Sequence, residues 1–148
     1  MEMQALQVYK CLVCDTTVEV LDAGGLELVC CGPPMVLMQE KVARGGRHPH
    51  AMVIERNGNT VKVKVGEPSH PTDKHHRIAW IELLADSCCL RRTLKPNAPA
   101  EATFTTQSRR LRARYFCTQH GLWSSAPSLA QVSASAPQET FEVASSAA

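Results

Sequence analysis

Many features that would place a chain of 148 residues in a familiar functional class are missing. No run of eighteen apolar residues occurs, which excludes a helix that crosses a bilayer. Met1–Lys10 carries no charged-then-apolar leader, so no secretory signal is recognised and a cytoplasmic protein is expected. Sixteen Lys+Arg against fourteen Asp+Glu leave a formal charge of +2, too little for a basic field that would draw nucleic acid. Two Trp, two Tyr and three Phe are too few for a base-stacking array, which also disfavours a nucleic-acid-binding zinc ribbon. Sustained 3.6-residue periodicity is absent as well, so a helical architecture is not expected.

What the chain does have is seven Cys and six His. In a reducing cytoplasm clustered Cys binds metal more readily than it forms disulfides, and an odd number suits a disulfide framework poorly. The distribution is uneven. Residues 1–40 hold four Cys and no His, and residues 48–123 hold every His and the other three Cys. Residues 41–47 read as a linker around Arg44-Gly45-Gly46-Arg47. Residues 124–148, rich in Ser, Ala, Gln and Pro, could not bury enough surface to offset their ordering entropy and are read as a disordered tail.

Between linker and tail the pattern is β. Val61-Lys62-Val63-Lys64-Val65 alternates with period two, and Met52–Glu55 precedes it across the turn-prone Asn57-Gly58-Asn59, which predicts a hairpin. Ile78–Ala85 and Cys89–Leu94 predict a second. Ala102–Thr106 and Leu111–Tyr115 add two more strands, and the whole predicts an antiparallel sandwich.

Cys11-Leu12-Val13-Cys14, fifteen intervening residues, then Cys30-Cys31 present four thiols in two pairs. Such pairs can complete a tetrahedron around one ion. A segment of about 40 residues also needs such a staple, because its apolar core is too small to hold it folded. The spacing by itself is open among iron, zinc and two disulfides. The adjacency of Cys30 and Cys31 is unusual, since neighbouring side chains normally diverge.

A second constellation comprises His50, His70, His76, Cys117 and His120. If every predicted strand reverses the chain, the start of strand 50–56, the loop holding His70 and His76, and the segment after strand 109–116 all fall at one end of the sandwich. His48 shares that end, whereas Cys88 belongs at the other. Four imidazoles and one thiolate are an odd set for zinc, but they suit iron and leave an octahedral position open for inner-sphere chemistry. A thiolate opposite that position would push electron density toward whatever binds there.

These residues carry a family resemblance. Tyr9-Lys10-Cys11-x2-Cys14, Val18–Leu21, Gly24-Gly25 and Leu28–Gly32 with Pro34-Met35 resemble a desulforedoxin-like N-terminal domain. Val61–Gly66, His70-Pro71, His76-x3-Trp80–Leu83, Leu94–Pro96 and Cys117-x2-His120-Gly121-x-Trp123 resemble a neelaredoxin-like catalytic domain. Together, over residues 5–123, they resemble the desulfoferrodoxins, the two-iron superoxide reductases. The resemblance implies a mainly β chain: a small rubredoxin/desulforedoxin-like, metal-stapled domain followed by an immunoglobulin-like antiparallel β-sandwich, commonly as a homodimer. It implies two irons per chain. The first would be held by Cys11, Cys14, Cys30 and Cys31, where zinc remains an alternative, and the second by His50, His70, His76, His120 and an axial Cys117. Gap-free counting from Gly66 selects His50 over His48, and the spacing from His70 selects His76 over His75. The activity implied is one-electron reduction of superoxide to hydrogen peroxide, with a rubredoxin-like electron donor; the rival is a non-enzymatic iron or zinc protein that binds a partner or transfers electrons.

One departure stands out. The family usually carries Glu-Lys immediately before its first His ligand, and here His48-Pro49 replaces it. Arg44 and Arg47 could attract an anion, but a guanidinium cannot donate its proton, so a proton-delivering role falls to His48. Arg110, Arg112 and Arg114 read as one solvated strand face, Trp80 as core, and Cys88 and Cys89 as free thiols.

Overall fold

The computed structural model describes residues 2–25, 27–43, 47–86 and 88–125. All its regular elements are strands, and every strand pairing in the three sheets is antiparallel. Among the described residues no helix is long and apolar enough to cross a membrane. The chain divides into two compact units, Met1–Gln39 and Glu40–Ala148.

The first unit is a three-stranded sheet of β1 (Val8–Lys10), β2 (Thr17–Glu19) and β3 (Val36–Leu37) in the order β2-β1-β3. Its buried apolar side chains are few: Met3, Val8, Cys11 and Val20. Burial on this scale leaves little to offset the ordering entropy of the unit, as expected where a metal completes the fold.

The second unit is a sandwich of two sheets. One contains β4 (Met52–Asn57), β5 (Thr60–Val65) and β8 (Glu101–Thr105) in the order β4-β5-β8. The other contains β6 (Ile78–Ala85), β7 (Cys88–Thr93), β9 (Leu111–Cys117) and β10 (Gly121–Ser124) in the order β10-β9-β6-β7. The alternation in β5 works as its sequence predicts: Val61, Val63 and Val65 enter the core, while Lys62 and Lys64 reach outward to Glu101 and Glu55, each at 3.0 Å. The β4–β5 hairpin turns at Gly58, whose φ of +61° lies in the left-handed region. Ile78, Ile81, Leu83, Phe104, Ala113 and Tyr115 complete the core between the sheets.

Two expectations need correction. Trp123 is not the last ordered residue: β10 pairs with β9 from Gly121↔Cys117 to Ser124↔Arg114, and Ser124 is buried. The low complexity of the following sequence hid this short strand, whose backbone groups are satisfied by β9 and not by any pattern of its own. Residues 126–148 of the expected tail, like Arg44-Gly45-Gly46 of the expected linker, lie outside the described residues. Lys41, also in the segment read as linker, pairs with Trp123 in an isolated parallel bridge.

The arginine stripe is the second. Glu82 on β6 is completely buried and lies directly across from Arg91 on β7 and Arg114 on β9. Arg114 is only 2% exposed and binds Glu82 through Nε at 2.6 Å and Glu40 through Nη1 at 3.1 Å. Arg112 binds the other oxygen of Glu40 at 2.5 Å. Period-two alternation places these side chains on one face but cannot say that a carboxylate is buried on the neighbouring strand. Arg112 and Arg114 belong to an ion-pair network and not to a solvated stripe, while Arg110 is half-buried. Trp80 is half-buried and stacks on Phe116 at 6.0 Å; Cys88 and Cys89 are exposed and outside any disulfide, and the Cys89 Sγ donates to Oε2 of Glu82 at 3.5 Å.

Candidate metal centres

In the first unit Cys11 ends the run of β1 and the chain folds back to Cys14, with the N–H of Asp15 donating to the Cys11 carbonyl at 3.0 Å. Asp15, Cys31 and Gly32 all have positive φ, 63°, 55° and 103°. The left-handed turn at Cys31 resolves the problem of adjacent cysteines: it bends the chain so that both sulfurs face the same point. The Cys14 and Cys30 sulfurs are 3.7 Å apart and those of Cys30 and Cys31 are 3.8 Å apart, with all four Sγ within 4.8 Å of one another. A tetrahedron with metal–sulfur bonds of about 2.3 Å has edges of about 3.8 Å, so the spacing fits one metal ion. A disulfide needs about 2.05 Å, and the four thiols are unbonded. Crowding separates their acidities: hydrogen bonds from Thr16 pull Cys14 down to about 6, whereas the sulfur of Cys14, followed by those of Cys11 and Cys31, pushes Cys30 up to about 12. Four thiolates this close repel one another strongly, and a cation among them removes that conflict.

In the second unit strand direction gathers five donors. His50 precedes β4, His70 and His76 lie in the β5–β6 connection, Cys117 ends β9, and His120 sits in the β9–β10 turn. Their ligand atoms all lie within 4.8 Å of one another. The imidazoles close a ring whose successive centroids are 5.0 Å (His50–His70), 4.8 Å (His70–His76), 4.9 Å (His76–His120) and 4.8 Å (His120–His50) apart. The Cys117 sulfur lies 3.4 Å from Nε2 of His70 and 3.6 Å from Nδ1 of His120. Nε2 of His76 is buried with no hydrogen-bond partner. An orphaned, buried nitrogen facing a ring of other nitrogen and sulfur donor atoms fits a bound cation.

The surroundings hold these donors ready. Burial, reinforced by the neighbouring imidazoles, lowers His50 to about 4, and burial also lowers His70, so both rings are neutral with a lone pair available. The Cys117 thiol is pushed up by burial, against the pull of the Gln119 and His120 backbone N–H groups and the Lys41 charge. Nδ1 of His70 donates to the Pro71 carbonyl at 2.8 Å, which turns Nε2 toward the ring. Asp73 accepts the N–H groups of His75 and His76, both at 2.9 Å, and fixes the loop that carries His76. Gly66, with φ +93°, lies so close beneath His70 that a Cβ there would come within 2.2 Å of the His70 nitrogen. The Tyr115 hydroxyl donates to the His50 carbonyl at 2.6 Å, and the Trp123 indole lies flat on the His50 ring, 4.3 Å between centroids at 3°.

The other residues singled out from the sequence take different places. His48 is half-buried, and its Nδ1 accepts the N–H of His50 at 3.0 Å, while Arg47 is exposed. Arg44 lies outside the described residues. The carbonyl of exposed His75 is taken by Thr118 and Gln119. Sequence reasoning passed over Lys41, Tyr115 and the contact role of Trp123. Only Trp123 had a signal, its fixed distance from Cys117.

The model of the desulfoferrodoxin family matches residues 40–126, and that of the desulfoferrodoxin N-terminal domain matches residues 3–38. A desulfoferrodoxin homolog of Archaeoglobus fulgidus is 50% identical over 122 residues, covering 82% of this chain and 98% of the relative. The desulfoferrodoxin of Nitratidesulfovibrio vulgaris is 45% identical over 117 residues, 79% of this chain and 93% of the relative. The crystal structure of the superoxide reductase from Treponema pallidum superposes with a TM-score of 0.69 at 26% identity, covering 84% of this chain and all of that one.

Proposed function

The chain belongs to the desulfoferrodoxin family, and from that premise we propose that it is a superoxide reductase whose reaction takes place at the His50, His70, His76, Cys117 and His120 set. The observation that carries the proposal is the ring of four imidazoles beside one sulfur, with the His76 nitrogen buried and unpartnered. Mixed nitrogen and sulfur donors in this number suit iron better than zinc. A ferrous ion held there would supply the single electron that, with two protons, converts superoxide to hydrogen peroxide.

The protein's own groups prepare that chemistry. Neutral imidazoles add no charge to the site, so the ion's positive charge remains to attract the substrate anion. The N–H groups of Gln119 and His120 stabilise the Cys117 sulfur as an anion. Exposed Arg47 attracts superoxide as a permanent cation. His48, whose Nδ1 is already taken by the His50 N–H, has Nε2 left for passing a proton. Cys11, Cys14, Cys30 and Cys31 would hold the chain's other iron, which would supply electrons taken from a rubredoxin-like donor. The protein works as a homodimer in the cytoplasm, where thiols stay available for metal. The first unit, up to Gln39, forms the electron-relay domain, and the second, from Glu40 through β10, forms the reductase domain.

The test combines iron and zinc analysis with pulse radiolysis on one sample. A reductase yields one hydrogen peroxide per superoxide consumed, whereas dismutation yields half as much together with dioxygen. One peroxide per superoxide, with two irons per chain, is the expected result. Superoxide decay no faster than in buffer on the iron-loaded chain would return the protein to the non-enzymatic class, and zinc in the four-cysteine site would confine iron to the other.

A further inference from the structure

Lys41 stands 79 positions from His120, yet its side chain ends at that residue: Nζ donates to the His120 carbonyl at 2.8 Å. The same ammonium lies 5.6 Å from the centre of the Trp123 ring, whose Nε1–H donates to the same carbonyl at 3.2 Å. The backbone of Lys41 is fixed independently of the side chain. Its N–H donates to the Leu122 carbonyl at 2.9 Å, and its own carbonyl accepts from Ser124 at 2.8 Å, so it brackets Trp123 on the free edge of β10. His120 is the exposed member of the five donors, and its imidazole hangs from a turn, not from a strand. An exposed turn is where positional freedom is greatest, and two donors converging on one carbonyl remove it.

We propose that Lys41 is a positioning residue of the His/Cys centre: it anchors His120 through its carbonyl and fixes a positive charge there. A fixed cation on the ligand's own backbone favours the reduced, less positive state of the centre, so it raises the reduction potential. The inference rests on the iron site proposed above, and its measurements need no superoxide.

The test uses the full, iron-loaded chain and the variants Lys41→Met and Lys41→Arg. Iron release from the His/Cys centre to a chelator, the midpoint potential of that centre and its thiolate-to-iron absorption band are compared with the wild type. Lys41→Met is expected to release iron about tenfold faster or more, with a lower potential and a displaced band. Lys41→Arg, which keeps the donor and the charge, is expected to stay within about twofold of the wild type in release. Hydrogen exchange at the Ser124 amide reports whether the backbone bridge survives in both. Wild-type release and potential in Lys41→Met, or an arginine variant as impaired as the methionine one, would overturn the assignment. If the wild type binds iron but leaves superoxide untouched, the functional proposal fails while the role of Lys41 still stands.

Discussion

Replacing Glu82 by Ala would strand a buried guanidinium, and the surroundings allow the cost to be ranked. Removing one partner of a buried ion pair costs about 3–5 kcal/mol, because the remaining charge has neither water nor counter-ion. Arg114 keeps Glu40 at 3.1 Å, and that carboxylate is 29% exposed, so Glu82→Ala belongs at the lower end, about 3 kcal/mol. Arg114→Ala costs less, about 2 kcal/mol, because Glu82 retains Nε of Arg91 at 2.9 Å and Nη2 at 2.5 Å. Arg91→Ala costs about 1 kcal/mol or less, since its side chain is 39% exposed and its partner keeps Arg114. In a domain of this size the first substitution lowers the melting temperature by about 15 °C. Thermal melts of iron-loaded variants at saturating metal measure all three, and Glu82→Leu combined with Arg114→Met, which removes both charges, should recover most of the loss. The reasoning fails if Arg114→Ala melts like a neutral surface substitution while the salt dependence of superoxide consumption weakens. That outcome would make the arginines a solvated steering stripe after all.

Three further outcomes test the positioning of the donors. Gly66→Ala forces a Cβ against the His70 backbone and a side chain into φ +93°; it should destabilise the sandwich by at least about 2 kcal/mol and lower metal content at the His/Cys centre while the four-cysteine centre stays loaded. Asp73→Ala removes the acceptor for the N–H groups of His75 and His76, so competition with a chelator should find metal held about tenfold less tightly, whereas Asp73→Asn keeps the acceptor and most of the affinity. Cys31→Ala should reduce bound metal to one equivalent per chain, and hydrogen exchange should find protection lost across residues 2–39, whose small core cannot stand without its staple.

Local chemistry made much of this protein legible before any coordinates. Cys11-x2-Cys14 and Cys30-Cys31 announce a four-sulfur site because ligands on tight turns lie close in sequence, and Val61–Val65 announces a strand because alternation is a local property. The convergence of His50, His70, His76, Cys117 and His120 followed from counting strand reversals, since an antiparallel chain returns to the same end at every second connection. Other features had no local trace. Nothing in the residues around Lys41 indicates that it meets His120, and nothing in Leu111–Cys117 distinguishes an arginine in water from Arg114 beside the fully buried Glu82. The left-handed turn at Cys31, which brings two adjacent sulfurs to one side, is likewise a matter of backbone conformation. Sequence by itself determined the donor types, their spacing and the direction of the strands that carry them. Tertiary structure alone decided which nitrogen each imidazole presents, which charges are buried and which distant cation guards the exposed ligand. The physical reason is that periodicity and turn chemistry act between near neighbours, whereas burial and electrostatic pairing depend on what another part of the chain brings against them.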